Sequence, residues 1–274
     1  MSERRFSVVT GASRGIGAAI ALDRARRGEV VAALARDDAR LATLVDQARG
    51  STGEIVPCVV DVTAADDLIE QARMLTDRFG APDLLVANAG RFSASGPTWQ
   101  VAPQEWAADV TVNLLAVQAT VAAFVPSMVG RSSGRVVVMT SGLGNGPGPY
   151  FSAYTASKAG LTNLAMSLDA ELALHSITVF PVSPGMVDTD LVDWPEGFTD
   201  WVPALRDIPA SAFTPVERIV ELVAAIDRGE ADAAHGRFLR STDDLTAVIK
   251  GVVEGPPSAR RLGLLPYAPE DPLA

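Results

Sequence analysis

Phe6-Ser7-Val8-Val9-Thr10-Gly11-Ala12-Ser13-Arg14-Gly15-Ile16-Gly17 is the stretch that decides the fold. An apolar run of strand length ends at a turn with three glycines, and an amphipathic segment, Ile16 to Arg27, starts directly behind it. Glycine lets a backbone approach an anion closely, and the free N–H groups and dipole of a helix start attract negative charge. The turn therefore reads as a cradle for a pyrophosphate. Its spacing is Gly-xxx-Gly-x-Gly, unlike the Gly-x-Gly-xx-Gly dinucleotide fingerprint. A tight turn that needs only positive φ is the plainer alternative.

The same alternation continues outward. Apolar runs at Phe6-Val9, Val30-Ala35, Ile55-Val60, Leu84-Ala87, Arg135-Thr140, Ile177-Val182 and Arg237-Leu239 read as strands buried on both faces. Helical patterns at Ile16 to Arg27, Ala64 to Phe79, Pro103 to Val129 and Tyr154 to Leu174 are long enough for right-handed crossovers. The expected fold is α/β: a doubly wound parallel sheet of about seven strands in three layers. No composition shift divides it, so residues 1–240 read as one domain, with a Pro- and Trp-bearing lid at 187–213 and a C-terminal extension at 241–274.

Composition narrows the function. With 23 Lys+Arg against 33 Asp+Glu among 274 residues, the net charge of −10 argues against nucleic acid as a partner. A hydrophobic fraction of 48% argues for a large core over disorder. One cysteine, Cys58, forms no intramolecular disulfide, and with His175 and His235 it makes no ordinary zinc site, so no metal is expected. The N-terminus lacks a signal-like apolar run, and no stretch approaches about 18 uninterrupted apolar residues, so a cytoplasmic protein off the membrane is expected.

Several residues carry chemistry. Tyr154-Thr155-Ala156-Ser157-Lys158 places a phenol and an ammonium one helical turn apart, and a fixed cation brings a phenol's pKa down toward neutrality. Met139-Thr140-Ser141 ends a buried strand and delivers one hydroxyl to the sheet's C-terminal edge, where ligands bind; alternation allows Ser141 or Thr140, not both. Asn113 sits inside a helical pattern it does not favour. Gly11-Ala12-Ser13-Arg14-Gly15 also matches a hydrolase nucleophile elbow, completable with Asp190 and His235. A turn after the first strand, however, has no earlier loop to supply the second oxyanion N–H.

Taken together, the Thr-Gly-xxx-Gly-x-Gly turn, Asn88-Ala89-Gly90, Asn113, Ser141, Tyr154, Lys158 and Pro184-Gly185 resemble the short-chain dehydrogenase/reductase family, in its small single-domain branch, over roughly residues 6 to 240. The resemblance implies a Rossmann-type fold with a nicotinamide cofactor across the C-terminal edge of the sheet. It places Thr10, Gly11, Ser13, Arg14, Gly15, Ile16 and Gly17 at the phosphates, Asp61 and Val62 at the adenine, and Asn88, Ala89 and Gly90 beneath the cofactor. Tyr154 and Lys158 fall at the nicotinamide ribose, Pro184, Gly185 and Val187 at the carboxamide, and Thr189 at the carboxamide or a phosphate. Ala87 departs from the family's first Asn. Asp61 also reads as a helix cap, in competition with Thr63. Asn113 is implied to distort its helix and hold a water that links Lys158 to solvent; a solvated Asn is the alternative.

The cofactor follows from charge. The second strand ends at Ala35, not at an acid, and Arg36 and Arg14 favour the 2′-phosphate of NADP(H), with NAD(H) remaining possible because Asp37 and Asp38 weaken the field. The expected reaction interconverts a ketone or aldehyde with an alcohol, using Ser141, Tyr154, Lys158 and Asn113. A non-catalytic NADP(H) sensor is the rival. Leu143, Phe151, Met186, Trp194, Phe198 and Trp201 suggest an apolar small-molecule substrate, or plain core. The resemblance also implies a homodimer or homotetramer joined through the 103–129 and 154–174 helices.

Overall fold

The computed structural model describes residues 4–189, 197–256 and 259. Among them, β1 (Phe6–Thr10), β2 (Val30–Ala35), β3 (Glu54–Val59), β4 (Leu84–Ala87), β5 (Gly134–Met139), β6 (Ile177–Ser183) and β7 (Leu239–Arg240) form one parallel sheet in the order β3-β2-β1-β4-β5-β6-β7. The helices are α1 (Gly15–Arg26), α2 (Asp38–Gln47), α3 (Ala65–Phe79), α4 (Pro103–Val110), α5 (Ala116–Arg131), α6 (Ser152–Leu172), α7 (Phe198–Trp201), α8 (Val216–Asp227) and α9 (Leu245–Glu254).

Side-chain alternation distributes the strands' residues between two cores. Val9, Ala33, Val86, Val137 and Val182 pack against α1, α2, α8 and α9, through Ile20, Leu41, Ile219 and Val248. Val8, Ala32, Leu85, Val136 and Val179 pack against α3, α5 and α6, through Leu68, Phe124 and Leu161. Helices thus cover both faces of a single domain in three layers. Edge strand β3 departs from the expected two-sided burial, because Glu54, Pro57 and Val59 are exposed while only Ile55 and Cys58 are buried.

The chain runs outward from β1 to β3, then crosses back through α3 to β4 on the other side of β1. The loops after β1 and β4 therefore diverge at the C-terminal edge and open a crevice there. The crevice locates the site.

Some boundaries differ from expectation. β7 has two residues and is shifted to Leu239–Arg240, because it pairs only with Val182 and Ser183. The Pro103 to Val129 pattern is one helical run to Arg131, interrupted by a π-helical turn at Thr111–Leu115. Among the described residues this run is long and apolar enough by composition to cross a bilayer, yet Val117, Val121, Phe124 and Met128 are buried against the sheet. Within the expected extension, α9 packs Val248 into the core.

Candidate active site

The turn after β1 is built by close contacts. Gly11 and Gly15 adopt φ of 65° and 54°, where a side chain is strained. A Cβ on Gly11 would stand 2.9 Å from the Ala89 Cα, so this turn lies directly on the loop after β4. Thr10 Oγ1 accepts the N–H groups of Asn88 (3.0 Å) and Ala89 (3.1 Å). Asn88 Nδ2 donates back to the carbonyls of Thr10 (3.0 Å) and Gly11 (3.4 Å). The lost Asn at Ala87 leaves this tie intact, because Asn88 makes it.

Above the turn lies a cleft of about 190 Å³, lined by Gly11, Ser13, Arg14, Gly15 and Ile16. Its other walls are Ala35 and Arg36 after β2, Val60, Asp61 and Val62 after β3, Asn88, Ala89 and Gly90 after β4, and Val112 and Thr189. Thr10 and Gly17, expected at the cofactor, are buried behind the cleft and act on its shape. Helix α1 starts at Gly15 with no side-chain cap, so its first N–H groups remain available to an anion. A glycine cradle, an uncapped helix start and two exposed arginines fit a dinucleotide diphosphate.

Asp61 ends as neither a helix cap nor a lone acid. It accepts the Thr63 N–H (2.9 Å) and hydroxyl (2.7 Å) in a turn before α3 and stands 3.6 Å from Arg36. These hydrogen bonds and the guanidinium outweigh its partial burial and hold the carboxyl below its ordinary value. Asp37 caps α2 by accepting the Arg40 N–H at 3.0 Å.

At the far end of the crevice, Ser141 and Thr140 face opposite ways. Thr140 is buried behind the strand, whereas the Ser141 hydroxyl stands beside that of Tyr154 and works to lower its titration. The Ser141 Oγ also accepts the Leu143 N–H (3.2 Å). Lys158 lies buried below, donating from Nζ to the Met139 carbonyl (2.8 Å), and is 5.6 Å from the Tyr154 ring centroid. Its burial pulls the ammonium down to about 8.

The expected lowering of the phenol is reversed. Burial pushes Tyr154 above its ordinary value, and the Ser141 hydroxyl opposes this only in part. The Lys158 ammonium is engaged with a carbonyl and stands over the Tyr154 ring.

Asn113 occupies the middle of the π-helical turn and is fully buried, which removes the solvated alternative. Its Oδ1 accepts the Arg91 N–H and its Nδ2 donates to the Arg91 carbonyl, both at 2.8 Å. The side chain is thus occupied by Arg91 backbone. One turn earlier, buried Asp109 accepts the N–H groups of Ser93 and Ala94, each at 2.9 Å. The two residues pin the loop 91–94.

Beside Tyr154 opens a second, apolar cavity of about 540 Å³. Leu143, Phe151 and Met186 line it, as do Ser141, Tyr154, Pro184, Gly185 and Val187. Ile16 and Thr189 line both cavities, which therefore adjoin. The 184–187 turn is fastened by the Ser241 hydroxyl, which donates to the Pro184 carbonyl (2.7 Å), and by the Thr214 N–H to the Met186 carbonyl (2.7 Å).

A sequence model of the short chain dehydrogenase family matches residues 5–195, more than half of the chain. The protein is a member of that family. An uncharacterized oxidoreductase of Staphylococcus saprophyticus is 36% identical over 72% of this chain and 82% of its own length. The 3-oxoacyl-[acyl-carrier-protein] reductase of Thermotoga maritima is 30% identical over 86% of this chain and 96% of its own. A metagenomic short-chain oxidoreductase solved with NADP superposes with a TM-score of 0.68 at 33% identity, covering 81% of this chain and 90% of its own.

Against the short-chain dehydrogenase frame, two expected substrate residues are placed differently. Phe198 is buried and packs edge-on to Phe92 and Phe151 at 5.5 and 4.9 Å, supporting the wall without lining it. Trp201 stacks outside on Tyr150 at 5.6 Å. Trp194 lies outside the described residues, as does Asp190. Wall residues that the sequence reading missed are Phe92, Val202, Leu205 and Arg240. Phe92 is an edge-on neighbour of Tyr154 at 5.7 Å; its signal was Asp109 and Asn113, i,i+4 on one helix and facing its loop. The hydrolase pattern fails on geometry. Ser13 faces the dinucleotide cleft, while His235 Nδ1 pairs with Asp169 at 2.8 Å beside Val179, toward the start of β6.

Proposed function

We propose that this short-chain dehydrogenase interconverts a carbonyl group and an alcohol on an apolar small molecule, with NADP(H) preferred over NAD(H). The observation that carries the reading is the Ser141–Tyr154 hydroxyl pair, on the wall of an apolar cavity that adjoins a diphosphate-shaped cleft. A nicotinamide dinucleotide in that cleft supplies or takes up the hydride. The chain's residues handle the oxygen and its proton.

Ser141 Oγ receives the Leu143 N–H, which leaves its own proton to donate to the substrate oxygen as negative charge builds there. Tyr154 gives its proton to that oxygen in reduction and receives it in oxidation. A phenol held above its ordinary value stays protonated at neutral pH, which suits it to the reductive direction. Lys158, cationic below about 8, is the buried positive group behind Tyr154 and would hold the nicotinamide ribose.

Charge supports the dinucleotide preference. Strand β2 ends in Ala35 without a carboxylate for an adenine-ribose diol, and the Arg36 side chain is 75% exposed at the cleft. Asp61 offsets part of that charge, whereas Asp37 is turned to α2. The metagenomic relative's NADP agrees. Assay a panel of apolar aldehydes and ketones by loss of NADPH absorbance, with NADH alongside. Turnover faster with NADPH is expected. Tight NADPH binding without turnover of any carbonyl would refute the enzyme in favour of a sensor.

A further inference from the structure

Among the described residues that line the apolar cavity, Arg240 is the only charged side chain. Its backbone is firmly placed. The Arg240 N–H donates to Asp243 Oδ2 (2.7 Å), the Ser241 N–H donates to the Ser183 carbonyl (3.0 Å), and β7 pairs Arg240 with Ser183, itself a wall residue. Leu239 fills the core, so alternation sends Arg240 to the opposite face of the strand. Its guanidinium forms no hydrogen bond or ion pair with the described residues, and the nearby Asp243 carboxylate accepts from Arg240's own backbone.

A planar cation on the wall of an apolar chamber, in a protein of net charge −10, is a local exception to the surrounding field. The rest of the wall is supplied by Phe92, Leu143, Phe151, Met186, Val202 and Leu205. The reacting corner lies at Tyr154 and Ser141. A ligand that satisfies this chamber presents a carbonyl to Tyr154 and Ser141, an apolar body to the wall, and an anion to Arg240. Guanidinium and carboxylate match as two parallel N–H···O bonds, and low local polarity strengthens them.

We propose that Arg240 is a specificity-determining residue and that the substrate is an apolar oxo-acid whose carboxylate pairs with it. This deepens the carbonyl-reductase reading and rests on it for the reaction, though not for the binding step. The test therefore has two arms. In the first, octanoate and octanamide, which share a tail and differ in charge, are titrated calorimetrically into the NADP-bound protein. Wild type is expected to bind octanoate about tenfold more tightly. Arg240→Met removes that preference, Arg240→Lys keeps part of it, and raised salt weakens it.

In the second arm, the KM of a medium-chain oxo-acid is divided by that of its methyl ester. The ratio rises about tenfold in Arg240→Met, while kcat for the acid changes little. Equal binding of octanoate and octanamide by wild type, or a preference that survives Arg240→Met, overturns the proposal. Absence of turnover with every carbonyl refutes the reductase reading instead, and the titrations still decide Arg240.

Discussion

Replacing Gly17 with alanine tests whether the cleft owes its shape to contact between α1 and the turn beneath it. The Gly17 backbone is ordinary helix, so strain at positive φ does not enter. Helix propensity alone favours alanine by up to about 1 kcal/mol. Sterics oppose it: the new Cβ would stand 2.3 Å from the Gly11 carbonyl oxygen and 2.7 Å from Asn88 Nδ2. A backbone carbonyl cannot swing aside, so α1 must lift or the turn must move. Overpacking of this kind costs about 1–3 kcal/mol. Loss of the Asn88 ties to Thr10 and Gly11 adds about 1 kcal/mol each. The net expectation is a loss of about 2–4 kcal/mol in urea unfolding and at least about a tenfold weaker NADPH affinity by fluorescence titration. Gly251→Ala is the control: it also lies within a helix, but its Cβ meets no atom within 4 Å, so it should gain up to about 1 kcal/mol. A Gly17→Ala protein as stable and as tightly bound as the Gly251→Ala protein would refute the reasoning.

Arg36→Ala should raise the KM for NADPH about tenfold and leave that for NADH nearly unchanged, since only the 2′-phosphate is lost as a partner. Equal effects on the two dinucleotides would remove Arg36 from that role. Lys158 gives a pH signature. Its ammonium, at about 8 in the fold against an ordinary 10.5, binds its proton less tightly than in the unfolded chain. The penalty for burying the charge is therefore complete below pH 8 and fades as pH rises toward 10.5, about 3 kcal/mol in all. Lys158→Met removes the charge, so the difference in unfolding free energy between variant and wild type should shift steadily as pH climbs past 8. A difference independent of pH contradicts the burial.

The sheet was legible because strands buried on both faces leave unbroken apolar runs, and seven such runs became seven strands. Helices α2, α8 and α9 were not singled out from their local pattern, although each buries residues in the core. Arg24 is a sharper case. It is fully buried, with Nη1 2.8 Å from Asp227, and a partner 203 residues away leaves no local trace. In the site, the glycine turn, Ser141, Tyr154 and Lys158 stood out through spacing. Phe92, Arg240 and the exterior position of Trp201 depend on how loops fold over the crevice, which periodicity does not encode. The direction of the Tyr154 shift is not legible for a related reason: spacing shows that an ammonium is near, but not that a carbonyl holds it or how the phenol is buried.

Tyr154→Phe tests the central claim most directly, because it removes one oxygen and keeps the ring that packs against Phe92. Single-turnover reduction by bound NADPH, measured beside the NADPH dissociation constant, is predicted to slow by at least about a thousandfold with binding changed less than about threefold. A variant that binds NADPH normally and reduces its carbonyl at the wild-type rate would contradict the account.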